Sequence, residues 1–210
     1  MNKILVLLIL MSVYTGGLYS QSVTAGQFET GAGLGFGLYH ASGNDTAGGA
    51  SIAASGVLTG HIQYAPVDDL SMGLVFYRNG FLTEKDSGNS IQSYLAGVKV
   101  VFRAVNGEKT LLYFGLSGGP SWMHYDHRKN SNYVNGEGYW FDFVAGTSVY
   151  FSKRAGMFVE LSYNKQHFTH FDDINHNLLM VGPLTNQREF ALDLGGMNMR
   201  MGLNFKLGGK

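Results

Sequence analysis

The chain has 210 residues, and its 15 basic and 15 acidic side chains cancel, so bulk charge offers no attraction for nucleic acid. Charged residues make up 14%, against about 25% in an average soluble protein, while 30 glycines, 3 prolines and 13% aromatics describe an all-β chain rather than a disordered one. The absence of cysteine excludes disulfide staples, thiolate metal sites and a cysteine lipid anchor, and the length suits one domain.

In chain order, Lys3 precedes a continuous apolar run from Ile4 to Met11, and Gly16, Gly17 and Ser20 supply small residues before Gln21. This is the plan of a secretory signal peptide over residues 1–20, too short in its apolar part to span a bilayer as a helix. Residues 21–210 then form the mature domain.

From Gln21 onward the pattern has period two, the mark of strands with two unlike faces. The first segment, Gly26 to Ala41, sets Phe28, Ala32, Leu34, Phe36 and Leu38 against Glu29, Gly31, Gly33, Gly35 and Tyr39. Ile52 to Ala65 sets Leu58, Ile62 and Tyr64 against Ser55, Thr59, His61 and Gln63. Leu70 to Tyr77 and Ile91 to Arg103 continue the alternation, the latter opposing Val98, Val100 and Phe102 to Ser93, Lys99 and Arg103. Thr110 to Tyr125 follows, with Gly118-Gly119-Pro120 as the place where a bulge is expected, since proline cannot donate to a ladder. Tyr139 to Ser152 opposes Phe141 and Phe143 to Asp142 and Ser148, and Val159, Leu161 and Tyr163 oppose Glu160, Ser162 and Asn164. The last segment alternates Met197, Met199, Met201, Leu203, Phe205 and Leu207 with Asn198, Arg200, Gly202, Asn204 and Lys206. On this assignment no apolar face carries a charge.

Connections alternate between tight turns (65–69, 105–108, 153–156) and long polar loops (40–51, 79–90, 126–138, 165–189). Short turns on one side and long loops on the other are the topology of an outer-membrane barrel. The polar faces are built of Gly, Ser, Asn and Tyr with few charges, unlike a water-facing surface at roughly 25–35% charged. Aromatics of apolar parity gather where strands meet the turns, at Phe28, Tyr64, Phe102, Phe151 and Phe205, with Phe36, Phe76, Trp122 and Phe141 as the second girdle. The expected fold is therefore all-β, an eight-stranded antiparallel transmembrane barrel of outer-membrane type, with lipid outside. Glu29, Asp142 and Glu160 are expected to meet Lys99, Arg103 and Arg200 in a narrow lumen, where an unpaired charge would be costly. Eight strands leave a bore that side chains largely fill.

The stretches Leu70 to Gly80, Tyr113 to Pro120 and Trp140 to Gly146 resemble the third, fifth and sixth strands of the outer-membrane β-barrel domain family, which includes porin-family, PorT-like and OmpA/OmpX-like proteins. The ending 200–207 resembles the C-terminal signal read by the barrel-assembly machinery, with Arg200, Gly202, Phe205 and Leu207 in the matching places. The resemblance implies the outer membrane of a Gram-negative cell and partners among outer-membrane lipid, lipopolysaccharide and the assembly machinery. It implies little about activity.

Chemistry candidates are few. His124, His127, His167, His170 and His176 fall in or beside the third and fourth long loops, near Asp172 and Asp173, without the spacing of a metal site. No metal or cofactor is expected. His167-Phe168-Thr169 lies where lipid A deacylases carry a His-x-Ser-Asn element in the seventh strand. Thr169 and His170 replace the serine and asparagine, and no carboxylate is assigned as the third member. Tyr133, Tyr139 and Trp140 are read as aromatics about the third loop, near the interface. The reading is a non-enzymatic envelope protein of structural or surface-interaction type, with a lipid-modifying enzyme or a narrow solute channel as alternatives.

Overall fold

A computed structural model describes residues 23–44, 51–82, 89–127, 132–183 and 186–208; the expected signal peptide lies outside them. The strands are β1 (Phe28–Gly43), β2 (Ser51–Val67), β3 (Leu70–Leu82), β4 (Asn89–Asn106), β5 (Thr110–His127), β6 (Asn132–Tyr150), β7 (Ala155–Asp173), β8 (Met180–Val181), β9 (Arg188–Glu189) and β10 (Leu192–Leu207). Eight of them close into an antiparallel barrel in the order β1-β10-β7-β6-β5-β4-β3-β2, while β8 and β9 pair as a small ribbon. Closure between β1 and β10 runs unbroken from Phe28–Leu207 to Gly43–Leu192. A closed ladder leaves no open sheet edge, as hydrocarbon demands.

Each alternation places its apolar members outward. Leu34, Leu116 and Met201 are exposed, whereas Lys99, Asp142, Glu160 and Arg200 are buried on the opposite face. At the turn end Phe28 and Tyr64 stand outward with ring centroids 5.0 Å apart, in the expected girdle. Inward glycines make room for large neighbours: a Cβ on Gly146 would lie 2.6 Å from the Tyr113 ring.

The structure corrects four details. No register shift occurs at Gly118-Gly119-Pro120; Pro120 sits outward and the pairing with β6 is continuous. Shifts fall instead between Tyr64 and Val67, Arg103 and Val105, and Asn135 and Glu137. Strands also run further than the apolar pattern, so that 79–82, 132–138 and 165–173 are ladder rather than loop. A ladder needs backbone partners and not lipid, so it continues past the apolar band. Longer strands put Arg78, Glu137 and Lys165 on the exposed outer face, contrary to a charge-free one, but all at the loop end. Finally, Trp140 points inward, packs edge-on against Tyr77 at 5.2 Å and donates from Nε1 to the Ala96 carbonyl at 3.2 Å.

Candidate functional site

The lumen has a charged waist. Lys99 on β4 reaches across to Glu160 on β7, Nζ to Oε1 2.5 Å, and the Tyr113 hydroxyl donates to the same oxygen at 3.0 Å. Arg200 on β10 donates from Nη2 to Asp142 Oδ2 at 2.8 Å. Its Nε lies 3.2 Å from Glu160 Oε2, an ion pair without hydrogen-bond alignment. The Tyr77 hydroxyl donates to Asp142 Oδ2 at 3.3 Å, and its ring lies 4.5 Å from the guanidinium carbon. Two cations and two anions thus share a layer in which every member is nearly inaccessible. Several partners per charge are what make such burial tolerable.

The other two charges expected in the network lie nearer the turns. Glu29 accepts from the Tyr150 hydroxyl at 3.0 Å and faces His61 Nε2 at 3.8 Å. Arg103 donates to the Asp68 carbonyl at 3.1 Å. Lys206, which the sequence reading did not include in the network, sits 3.9 Å from the Tyr150 ring centre. The space left among these groups is a cavity of about 10 Å³, room for roughly one water.

Toward each end of the lumen stands a cluster of buried apolar side chains that sequence reasoning missed. At the turn end Val23 is fully buried with Ala65, Val101, Leu111 and Tyr150. Asn106 holds it there, accepting from the Val23 amide at 3.2 Å and donating to its carbonyl at 2.7 Å. At the loop end Tyr39, Phe81, Met123, Phe168, Phe171 and Leu194 form one cluster. Phe168 and Phe171 were legible only as loop residues, because their strand was taken to end before them.

On the outer wall, His167 Nδ1 lies 2.9 Å from Asp193 Oδ1 of β10, a carboxylate that sequence reading could not assign. Thr169 does not join them: its hydroxyl contacts His170 Nδ1 at 3.2 Å. Among the described residues no group of three or more His, Asp or Glu side chains is placed to hold a metal ion. In the matching of the C-terminal signal, Arg200 and Gly202 face inward and Phe205 and Leu207 outward on β10.

No family model matches the chain, and no curated protein matches it. Among solved structures, the outer membrane protein OprG of Pseudomonas aeruginosa is 14% identical with a TM-score of 0.54, over 90% of this chain and 100% of that one. Neisserial surface protein A is 12% identical with a TM-score of 0.48, over 83% and 97%. The Ail protein of Yersinia pestis is 13% identical with a TM-score of 0.46, over 87% and 100%. The likeness to OprG is one of fold, that of a small outer-membrane β-barrel.

Proposed function

We propose that the chain is an integral outer-membrane protein of a Gram-negative envelope, a sealed and non-enzymatic barrel whose role is carried by its loop end. One observation supports this most: the barrel wears its apolar residues outside and its charges inside, which suits hydrocarbon and not water as the surrounding solvent. The paired waist and the apolar clusters at both mouths favour a scaffold over a channel. Phe205 and Leu207, outward on the closing strand, fit the reading of 200–207 as the assembly signal. The test is purification in detergent, heat-modifiable gel mobility and planar-bilayer recording. A heat-modifiable band with no sustained conductance is expected; steady openings in most insertions would refute the sealed barrel.

The His167–Asp193 contact supports a second reading, a lipid acyl hydrolase facing the outer leaflet. Base and carboxylate are in reach, but Thr169 is engaged elsewhere, and a dyad without an activated nucleophile does not transfer acyl groups. Mass spectrometry of lipid A with and without expression decides it: a lost acyl chain establishes the hydrolase, an unchanged profile removes it.

A further inference from the structure

A groove of about 590 Å³ opens on the outer wall at the loop end, in the range of about 300–1,000 Å³ usual for small-ligand sites. Its floor is aromatic, with Tyr94 of β4 and Trp122 of β5, neighbours in register. Its upper wall carries Glu137, His170, Asp172 and His176. Beside the floor, His124 Nδ1 and Asn135 Oδ1 are 2.8 Å apart, which holds the imidazole and the amide in place.

The wall is built by a backbone irregularity. β6 residues Asn135 and Glu137 pair with Asp172 and Thr169, so β7 carries one extra residue here. A bulge re-aims the side chains beyond it. Phe168 and Phe171 therefore both point into the lumen cluster, while Asp172 turns out to the groove. His170 takes φ 53° at this step and His176 takes φ 61° in the next turn. These are left-handed conformations that non-glycine residues seldom adopt, and they cluster at ligand sites. The segment is fastened: the Leu179 amide donates to the Phe171 carbonyl at 2.7 Å, and Asp173 Oδ1 accepts from the amides of Asn175 and Asn177 at 2.8 and 2.9 Å. The wall thus holds a defined shape.

The lining chemistry selects a ligand. Among the described residues it holds two carboxylates and no Lys or Arg, so phosphate or sulfate would meet repulsion from them. The nearby Arg78 guanidinium is committed to Gln92 Oε1 at 2.8 Å and lies over the Tyr94 ring at 5.8 Å. A pyranose ring has a C–H face that lies flat on an aromatic side chain and a rim of hydroxyls. Carboxylate, amide and imidazole groups satisfy such hydroxyls as acceptors and donors. We propose that this groove binds a neutral saccharide chain, stacked on Trp122 and Tyr94 and held at its hydroxyls by Glu137, Asp172 and the flanking histidines. This deepens the reading of the loop end as the functional end, and rests on it.

The full mature chain, folded in detergent and checked by heat-modifiable mobility, is applied to an array of immobilised neutral, sulfated and sialylated glycans, with cationic peptides as a further arm. Retention on one or more neutral glycans is expected, with affinity falling tenfold or more in Trp122→Leu and in Glu137→Gln and unchanged in Lys153→Ala at the opposite end. Should Trp122→Leu lose heat-modifiable mobility, Asp172→Asn takes its place. Competition by purified lipopolysaccharide micelles assigns the sugar to the cell's own surface; lack of competition assigns it to an external glycan, and either supports the groove. Retention on no neutral glycan, retention only on sulfated glycans or cationic peptides, or indifference to the groove substitutions overturns the proposal. Its failure with a heat-modifiable, non-conducting band intact leaves the sealed barrel standing.

Discussion

The waist and the mouths of the lumen solve the same problem by opposite chemistry. At the waist, Lys99, Glu160, Arg200 and Asp142 are buried as charges, each touching at least one opposite charge. At the loop-end mouth, Phe168, Phe171, Met123 and Leu194 fill the bore with hydrocarbon. Apolar packing tolerates imperfect partners, because its attraction is non-directional. A charged layer tolerates none: remove one member and the rest are stranded in a low dielectric. The waist therefore specifies geometry, while the apolar clusters contribute bulk that needs no exact partner.

The largest effect is expected at Arg200. Arg200→Met leaves Asp142 with only the Tyr77 hydroxyl and Glu160 without its second cation, at an expected cost of about 3–5 kcal/mol. Urea titration in lipid vesicles measures it. Pairing the change with Asp142→Asn should return part of the loss, and a double variant no better than the single one would refute the coupling. Phe168→Ala at the mouth removes a fully buried ring and should cost about 3 kcal/mol. No sustained conductance should appear, because the waist remains closed.

A subtler probe is Tyr113→Phe, which takes one donor from Glu160 and leaves Lys99 in place. A loss of about 1.5–2 kcal/mol is expected, as for a hydrogen bond to a charged group. A neutral outcome would mean that water replaces the hydroxyl. Smallest of all is the effect at Asp173, at the loop end. The Asn177 amide, with further bonds from Asn177 and Asn175, holds its carboxyl below the ordinary value of 3.8. A carboxyl depressed in the folded state stabilises its turn above its unfolded pKa, and that stabilisation is lost as pH falls through the folded one. Amide exchange at Asn175 and Asn177 should therefore quicken in acid, relative to the intrinsic rate, only below about pH 3.8, and Asp173→Asn should abolish that pH dependence.

Much of the fold was legible in residues such as Leu34, Phe114 and Met199, whose period-two spacing is a local property of the chain. The expected inward set of charges was legible for the same reason, since parity assigns Lys99 and Glu160 to the polar face before any partner is known. Trp140 was read as an interfacial aromatic beside the third loop, although it stands within the sixth segment and its parity matches Asp142, because aromatics near a strand end usually mark the membrane interface. The groove was not legible: Asp172 and Phe171 exchange faces through a bulge, and an alternation rule has no means to register one extra residue.

The amino-acid pattern alone was enough to locate the apolar stretch of each of the eight barrel strands and its lipid-facing side, because a pleated backbone turns successive side chains to opposite faces. Which charges meet became visible only in the closed barrel. Lys99 and Glu160 stand 61 residues apart on strands that are not neighbours, and their contact depends on how closure sets the strands' heights around the barrel.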